Sequence, residues 1–191
     1  MDATTLRPEP AAAPPAPRFS GGERALHWVN AAWFLVLLGT ASALYVGPVS
    51  VLVGRRDLVK WIHVIAGLTL PIPLLLAALR SPAFRADARR LNRFTAEDWK
   101  WLRRRPTKPG KFNAGQKLNA AFVAGSIPVM LATGSIMKWF HPFALSWRTG
   151  ATFVHDVIAI MLFIVIVGHI AKALSDKPKL DEMLRGRTHV R

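Results

Sequence analysis

The chain has 191 residues, 51% of them hydrophobic, and carries 26 Lys and Arg against 11 Asp and Glu, which gives a net charge of +15. It contains no cysteine, and this excludes disulfides, cysteine-ligated iron–sulfur clusters and covalent c-type haem attachment. Because the basic residues flank long apolar stretches, we interpret the charge as that of a membrane protein and expect no nucleic-acid partner.

Four charge-poor stretches, at 25–54, 61–79, 118–137 and 149–171, organise the sequence. Each has close to or more than the roughly 20 residues that a helix needs to cross a bilayer. We therefore predict an all-α membrane protein, a bundle of four transmembrane helices.

The basic residues indicate the orientation of these helices. Three lie before the first span, twelve in the loop 80–117 and six from Lys172 onward, so that 21 of the 26 share one side. The positive-inside rule places this side, with both termini, in the cytoplasm. We call it the inner side, and we predict a multi-pass protein of the bacterial cytoplasmic (inner) membrane. The predicted domains are a disordered Pro/Ala-rich cytoplasmic extension (1–20), a transmembrane domain (21–175) and a cytoplasmic tail (176–191).

The first two helices and the segment between them come first in chain order. The first helix is predicted to begin near Gly22 and to end at Gly47-Pro48, and the stretch PVSVLVG to lie along the outer interface. The second is predicted from Asp57 to about residue 79, with a kink at its two prolines.

The long loop contains a capping signal, Thr95-Ala-Glu-Asp, which predicts a short amphipathic helix carrying Trp99 and Trp101. The surrounding arginines favour binding to anionic lipids, and contact with a partner subunit is the alternative. The third helix is predicted over about 114–139 and the fourth over about 148–174, followed by a polar tail.

Four histidines lie within the apolar stretches, and two of them share the fourth helix. His155 and His169 are fourteen residues apart, which at 3.6 residues per turn places them on the same face and roughly 21 Å apart along the axis. One helix face therefore presents a histidine near each membrane surface.

The topology supplies a partner for each of these histidines. His63 is near the outer end of the second helix, and His27 is near the inner end of the first. We predict two bis-histidine b-type haem sites, His63 with His155 on the outer side and His27 with His169 on the inner side. Iron with both axial positions filled by protein is suited to electron transfer.

Other interpretations of the intramembrane histidines stay open. They could hydrogen-bond helices together, relay protons or bind zinc. A single zinc site is disfavoured, because its ligands would have to lie within one small sphere. His141 and His189 lie in an interfacial segment and in the tail and are not expected to be ligands.

Two basic residues lie about one turn from the inner pair. Arg24 and Lys172 could neutralise haem propionates, or simply anchor the helix ends at the lipid headgroups.

A polar string, GKFNAGQK, precedes the third helix. Asn113 and Gln116 are three residues apart, and both can hydrogen-bond a carbonyl group. The ordinary interpretation is a helix N-cap at Asn113. The functional interpretation is a quinone head-group site beside the inner histidine pair.

The strings ERALHW, KWIHVIAG, GKFNAGQK, FVHDV and VGHI occur in this order over roughly residues 18–187. Together they closely resemble the cytochrome b (gamma) subunit of membrane-bound respiratory formate dehydrogenase, and GKFNAGQK is the most specific of them. The resemblance implies two b haems on the four histidines, and a menaquinone or ubiquinone site formed by Asn113, Gly115, Gln116 and His169.

The resemblance also implies partners and a direction of electron flow. The partners are an iron–sulfur (beta) subunit and a molybdenum- or tungsten-containing catalytic (alpha) subunit on the outer face. Electrons from formate would cross from the outer to the inner haem and reduce quinone, with protons taken from the cytoplasm. This chain itself would carry no formate chemistry.

Two alternative functions remain. One is the same kind of subunit serving a hydrogenase or another quinone-linked oxidoreductase. The other is a haem-free membrane anchor or ion-conducting protein in which the histidines pack helices or relay protons.

Overall fold

The computed structural model describes residues 19–108, 110–139 and 141–186, and within these ranges the regular structure is entirely helical. Most of the predicted extension 1–20 and the end of the tail, 187–191, lie outside the described residues. The helices are α1 (Gly21–Tyr45), α2 (Gly47–Val53), α3 (Arg56–Thr69), α4 (Pro71–Arg80), α5 (Pro82–Leu91), α6 (Ala96–Leu102), α7 (Ala114–Lys138), α8 (Leu145–Ser175) and α9 (Lys177–Arg185).

Among the described residues, four helical spans are long and apolar enough to cross a membrane. They are α1, α3 together with α4, α7, and α8. The predicted all-α architecture with four transmembrane helices is therefore confirmed.

The first span begins at a capping box that the sequence analysis did not identify. The Glu23 amide donates to the Ser20 hydroxyl at 3.2 Å, and the Ser20 amide donates to the Glu23 carboxylate at 2.7 Å. Two backbone N–H groups that would otherwise lack partners are satisfied in this way. After α1 the chain turns into α2, which ends at Gly54 with φ of 64°.

The second span continues through its prolines. Leu70, between α3 and α4, keeps helical torsion angles (φ −50°, ψ −42°), and Pro71 then opens α4. A proline at a first helical position removes an N–H group that needs no partner there. Two helices of one span therefore meet at the prolines where the sequence predicts a kink.

The long loop contains two helices, whereas the sequence analysis predicted one. The predicted helix is α6, whose Thr95–Asp98 capping box is present. The additional helix is α5, which begins at Pro82 and is capped by the Ser81 hydroxyl, the acceptor of the Phe84 amide at 3.1 Å. A serine followed by proline is a recognised helix start.

The spans pack in a defined order. Helix α8 lies along α7, α7 contacts α3, and α3 and α4 lie along α1. The Trp33 indole donates to the Thr69 hydroxyl at 2.9 Å and so ties α1 to α3. Small residues such as Ala43, Ala66 and Ala151 are buried within the spans, as expected where helices approach closely in lipid.

The tail folds back on the bundle. Within the predicted polar tail, α9 follows α8 after one residue. The Trp28 indole of α1 donates to the Met183 carbonyl at 3.3 Å, which holds α9 against the inner end of α1.

Candidate functional site

The bundle brings the four intramembrane histidines together in two pairs. The ring centres of His63 and His155 are 6.4 Å apart, and those of His27 and His169 are 6.1 Å apart. These are the pairs that the topology predicted. Since His155 and His169 are fourteen residues apart on α8, the two pairs lie at levels roughly 21 Å apart along that helix.

The spacing within each pair fits one metal ion between two imidazoles. Two imidazoles that bind one metal ion from opposite sides, through bonds of about 2.0 Å, would have their ring centres about 6 Å apart. Among the described residues, no group of three or more His, Cys, Asp or Glu is placed to hold a metal ion. The site chemistry therefore fits a haem iron, whose macrocycle supplies the other ligands, better than a protein-ligated zinc ion.

A threonine hydroxyl contacts each ring of the outer pair. The Thr40 hydroxyl of α1 is 2.8 Å from Nδ1 of His63, and the Thr133 hydroxyl of α7 is 2.9 Å from Nδ1 of His155. With Nδ1 occupied in both rings, Nε2 is the nitrogen that remains for a metal ion. Sequence reasoning did not find either threonine, because each belongs to a different helix from its histidine.

A glycine provides room for the His155 ring. A Cβ atom at Gly134 would lie 3.3 Å from Cε1 and 3.7 Å from Nδ1 of this histidine. Gly134 follows Thr133 directly, so α7 supplies both a hydrogen-bond partner and the space for the ring. This glycine was also missed, and the sequence around it carries no signal for such a contact.

The inner pair has an aromatic neighbour and two nearby cations. The Trp28 ring contacts His27 edge-on, with ring centres 5.3 Å apart. Arg24 donates to the Phe19 carbonyl at 3.5 Å, and its guanidinium occupies the space beside Gly186. Lys172 is exposed on α8, three residues beyond His169. Contacts of these two cations with haem propionates stay a prediction.

Two lysines anchor the GKFNAGQK string to the surrounding helices. Lys111 forms ion pairs with Glu23 of α1, at 2.8 Å, and with Asp87 of α5. Burial opposes the charge on Lys111, but the carboxylates of Asp87 and Glu23 raise its pKa above the ordinary value. Since Glu23 is one turn before His27, the ion pair between Lys111 and Glu23 links the string to the helix that carries an inner histidine.

The second lysine holds α6 against α7. Lys117 and Asp98 form a buried ion pair of 2.6 Å, and Lys117 also donates to the Arg93 carbonyl at 2.8 Å. Burial opposes the charge on Asp98, but the Lys117 ammonium, the Thr95 amide and the Thr95 hydroxyl hold its pKa below the ordinary value. The two lysines of the string are therefore structural, a role that sequence reasoning did not assign to them.

Asn113 and Gln116 form a reciprocal capping box at the start of α7. The Gln116 amide donates to Asn113 Oδ1 at 2.9 Å, and the Asn113 amide donates to Gln116 Oε1 at 3.0 Å. The ordinary N-cap interpretation is thus correct. Both side-chain NH₂ groups lack a hydrogen-bond partner within the described part of the chain, so each can still donate to a ligand.

Gly115 and His169 are the other two residues predicted for the quinone site. Gly115 lies under Trp101 of α6, because a Cβ atom there would be 3.0 Å from Cη2 of the indole. Within the described ranges, neither Asn113 nor Gln116 hydrogen-bonds to His169. The structure thus brings Asn113, Gly115 and Gln116 together, and their association with His169 stays a prediction.

The chain was also compared with known proteins. The family model described as prokaryotic cytochrome b561 matches residues 18–186, which include all four membrane spans. No curated protein matches the chain.

Proposed function

The chain belongs to the prokaryotic cytochrome b561 family and is thus a membrane-bound b-haem electron-transfer protein; from the resemblance of its GKFNAGQK string we propose, further, that it is the dihaem subunit of a respiratory formate dehydrogenase. In this role it would pass electrons from an outer iron–sulfur subunit to quinone on the cytoplasmic side. A molybdenum- or tungsten-containing subunit would oxidise the formate.

The observation that carries the proposal is the pair of histidine sites on α8. His155 and His169 each face a histidine of another span, at ring-centre distances of 6.4 and 6.1 Å. The histidines would hold two haems, one near each membrane surface, as protein ligands of the iron. When bound, each haem supplies a reversible one-electron iron couple.

The inner end of the bundle supports a quinone site. The NH₂ groups of Asn113 and Gln116 can donate to a quinone carbonyl, and the ion pair of Lys111 with Glu23 ties their loop to the helix of His27. The acceptor would be menaquinone or ubiquinone. We also propose that α6, with Trp99 and Trp101 exposed, binds anionic lipid headgroups.

The direction of flow has an energetic consequence. Each electron that moves from the outer to the inner side works against an inside-negative potential, at about 2.3 kcal/mol per 100 mV. Part of the free energy of formate oxidation would be stored as membrane potential.

Haem content tests the ligand assignment. The purified chain should contain two b haems, measured by pyridine haemochromogen and reduced-minus-oxidised spectra. His63→Ala should lose the outer haem and His27→Ala the inner one, while the control His141→Ala, outside both pairs, should keep both. A wild-type protein without b-type bands after haem-replete expression would refute the proposal and favour the haem-free anchor or ion-conducting protein.

The quinone site is tested by separating capping from ligand binding. Gln116→Glu puts a carboxylate oxygen in place of the amide oxygen that accepts from the Asn113 N–H group, and it removes the NH₂ donor. We expect slow quinol formation with fast haem reduction by formate in the complex. Gln116→Ala loses both functions and serves as the comparison. Slow haem reduction in Gln116→Glu would indicate an assembly defect and contradict the assignment.

The partner is identified by co-purification of the tagged chain from its native membrane. Reduction of the haems by formate in the isolated complex, together with molybdenum or tungsten by elemental analysis, would support formate dehydrogenase. Reduction by hydrogen would instead support the hydrogenase alternative.

A further inference from the structure

Thr40 and Thr133 form a matched arrangement at the outer histidine pair. The Thr40 hydroxyl lies 2.7 Å from the Val36 carbonyl and 2.8 Å from Nδ1 of His63. Thr133 repeats this geometry on another helix, 2.7 Å from the Val129 carbonyl and 2.9 Å from Nδ1 of His155. Each threonine therefore connects a backbone carbonyl of its own helix to an imidazole of a neighbouring helix.

The donor and acceptor capacities of the hydroxyl, the carbonyl and Nδ1 favour one tautomer of each ring. A hydroxyl has one proton to donate and two lone pairs to accept with, whereas a carbonyl can only accept. If the hydroxyl donates to the carbonyl one turn back, the ring must donate its Nδ1 proton to the hydroxyl, and two hydrogen bonds form. If Nδ1 instead carried the lone pair, the hydroxyl proton could satisfy only one of its two acceptors.

The favoured tautomer has its lone pair on Nε2. A neutral imidazole with its proton on Nδ1 binds a metal ion through Nε2, and the Nδ1 hydrogen bond fixes the ring orientation and raises its basicity. No side-chain hydrogen bond to His27 or His169 occurs among the described residues, so this arrangement distinguishes the outer pair from the inner pair.

We propose that Thr40 and Thr133 are positioning residues of the outer haem site, which hold His63 and His155 as Nε2 ligands and increase electron donation to the ferric iron. The inference rests on the proposed function, since it requires a haem between these two histidines. Beyond the ligand assignment, the two hydroxyls would lower the reduction potential of the outer haem and leave that of the inner haem unchanged.

The test is redox potentiometry of the purified dihaem protein carrying Thr40→Val or Thr133→Val. Valine keeps the shape of threonine and removes the hydroxyl. We expect the balance between ferric and ferrous iron to move about tenfold toward ferrous iron, which for a one-electron couple is about 59 mV. The affected haem should be the one that His63→Ala removes, and the inner haem should keep its potential.

Two further variants separate this role from a general effect on folding. Thr40→Ser keeps a hydroxyl group at this position and should have the wild-type potential. Thr152→Val is the matched control, because the Thr152 hydroxyl donates to the carbonyl one turn back at 2.9 Å and is exposed on the outside of α8. Its potentials should equal those of the wild type.

The outcomes are distinguishable. Loss of the outer haem in the valine variants, with recovery in Thr40→Ser, would also support the proposal. If the wild-type protein binds two haems and both valine variants keep the wild-type potential of the outer haem, this inference alone is overturned. A wild-type protein that binds no outer haem would overturn it together with the proposed function.

Discussion

Gly134→Ala should weaken the outer haem site through a single added methyl group. The new Cβ atom would lie 3.3 Å from Cε1 of His155, whereas carbon atoms prefer separations of about 3.5–4.0 Å. The ring would have to move by a few tenths of an ångström, away from the position in which Thr133 holds Nδ1 at 2.9 Å. Overpacking of this kind costs about 1–3 kcal/mol, which corresponds to roughly 5- to 150-fold weaker haem binding.

The assay is titration of haem into haem-depleted protein in nanodiscs, followed by the reduced-minus-oxidised spectrum. Gly125→Ala is the matched control in the same helix, because no atom outside the local backbone lies within 4 Å of a Cβ there. The inner haem should bind equally well in both variants. Wild-type affinity at the outer site of Gly134→Ala, or an equal loss in Gly125→Ala, would refute the reasoning.

Three further predictions concern the inner end of the bundle. Asp98→Asn leaves the buried Lys117 ammonium without its counter-ion and should destabilise the protein by about 3–5 kcal/mol in denaturant unfolding, whereas the control Asp57→Asn, at an exposed pair of the outer end, should leave the stability nearly unchanged. Because the Asp98 pKa is lowered in the folded state, its contribution is present above its unfolded pKa of about 3.9 and is lost as pH falls through the folded value; the difference in melting temperature between the wild type and Asp98→Asn should therefore shrink over that pH range. Gly115→Ala would place a methyl group 3.0 Å from Trp101 and should lower the melting temperature, and Trp101→Leu should relieve the difference between glycine and alanine; an unchanged difference would contradict the contact.

The topology alone groups the four histidines into two pairs, because bilayer geometry restricts a membrane helix strongly. Once the orientation of each span is known, the position of a residue along the chain determines its depth, at 1.5 Å per residue. His63 and His155 therefore had to lie at one level, and His27 and His169 at another. The ends of the spans were also close to those observed, because a charged residue marks where each apolar stretch ends.

Short helices outside the membrane were harder to predict. Helices α5 and α9 have ten and nine residues, and at this length intrinsic propensity alone does not stabilise a helix in water. Their stability comes from contacts with the rest of the protein, such as that between Trp28 and the Met183 carbonyl. Only α6 was foreseen, since Thr95 and Asp98 form its capping box from adjacent sequence.

The sequence by itself determined the number of spans, the position of each histidine along its helix and the capping of α7, because these depend on hydrophobicity, helix rise and residues close together in the chain. Only the tertiary structure decided that Thr40 meets His63, that Thr133 and Gly134 meet His155, and that Lys111 and Lys117 serve as anchors. Such contacts depend on how neighbouring helices are rotated about their axes, which is set by the packing of small side chains between them. A single sequence records depth along each helix but not the rotation that brings two side chains together.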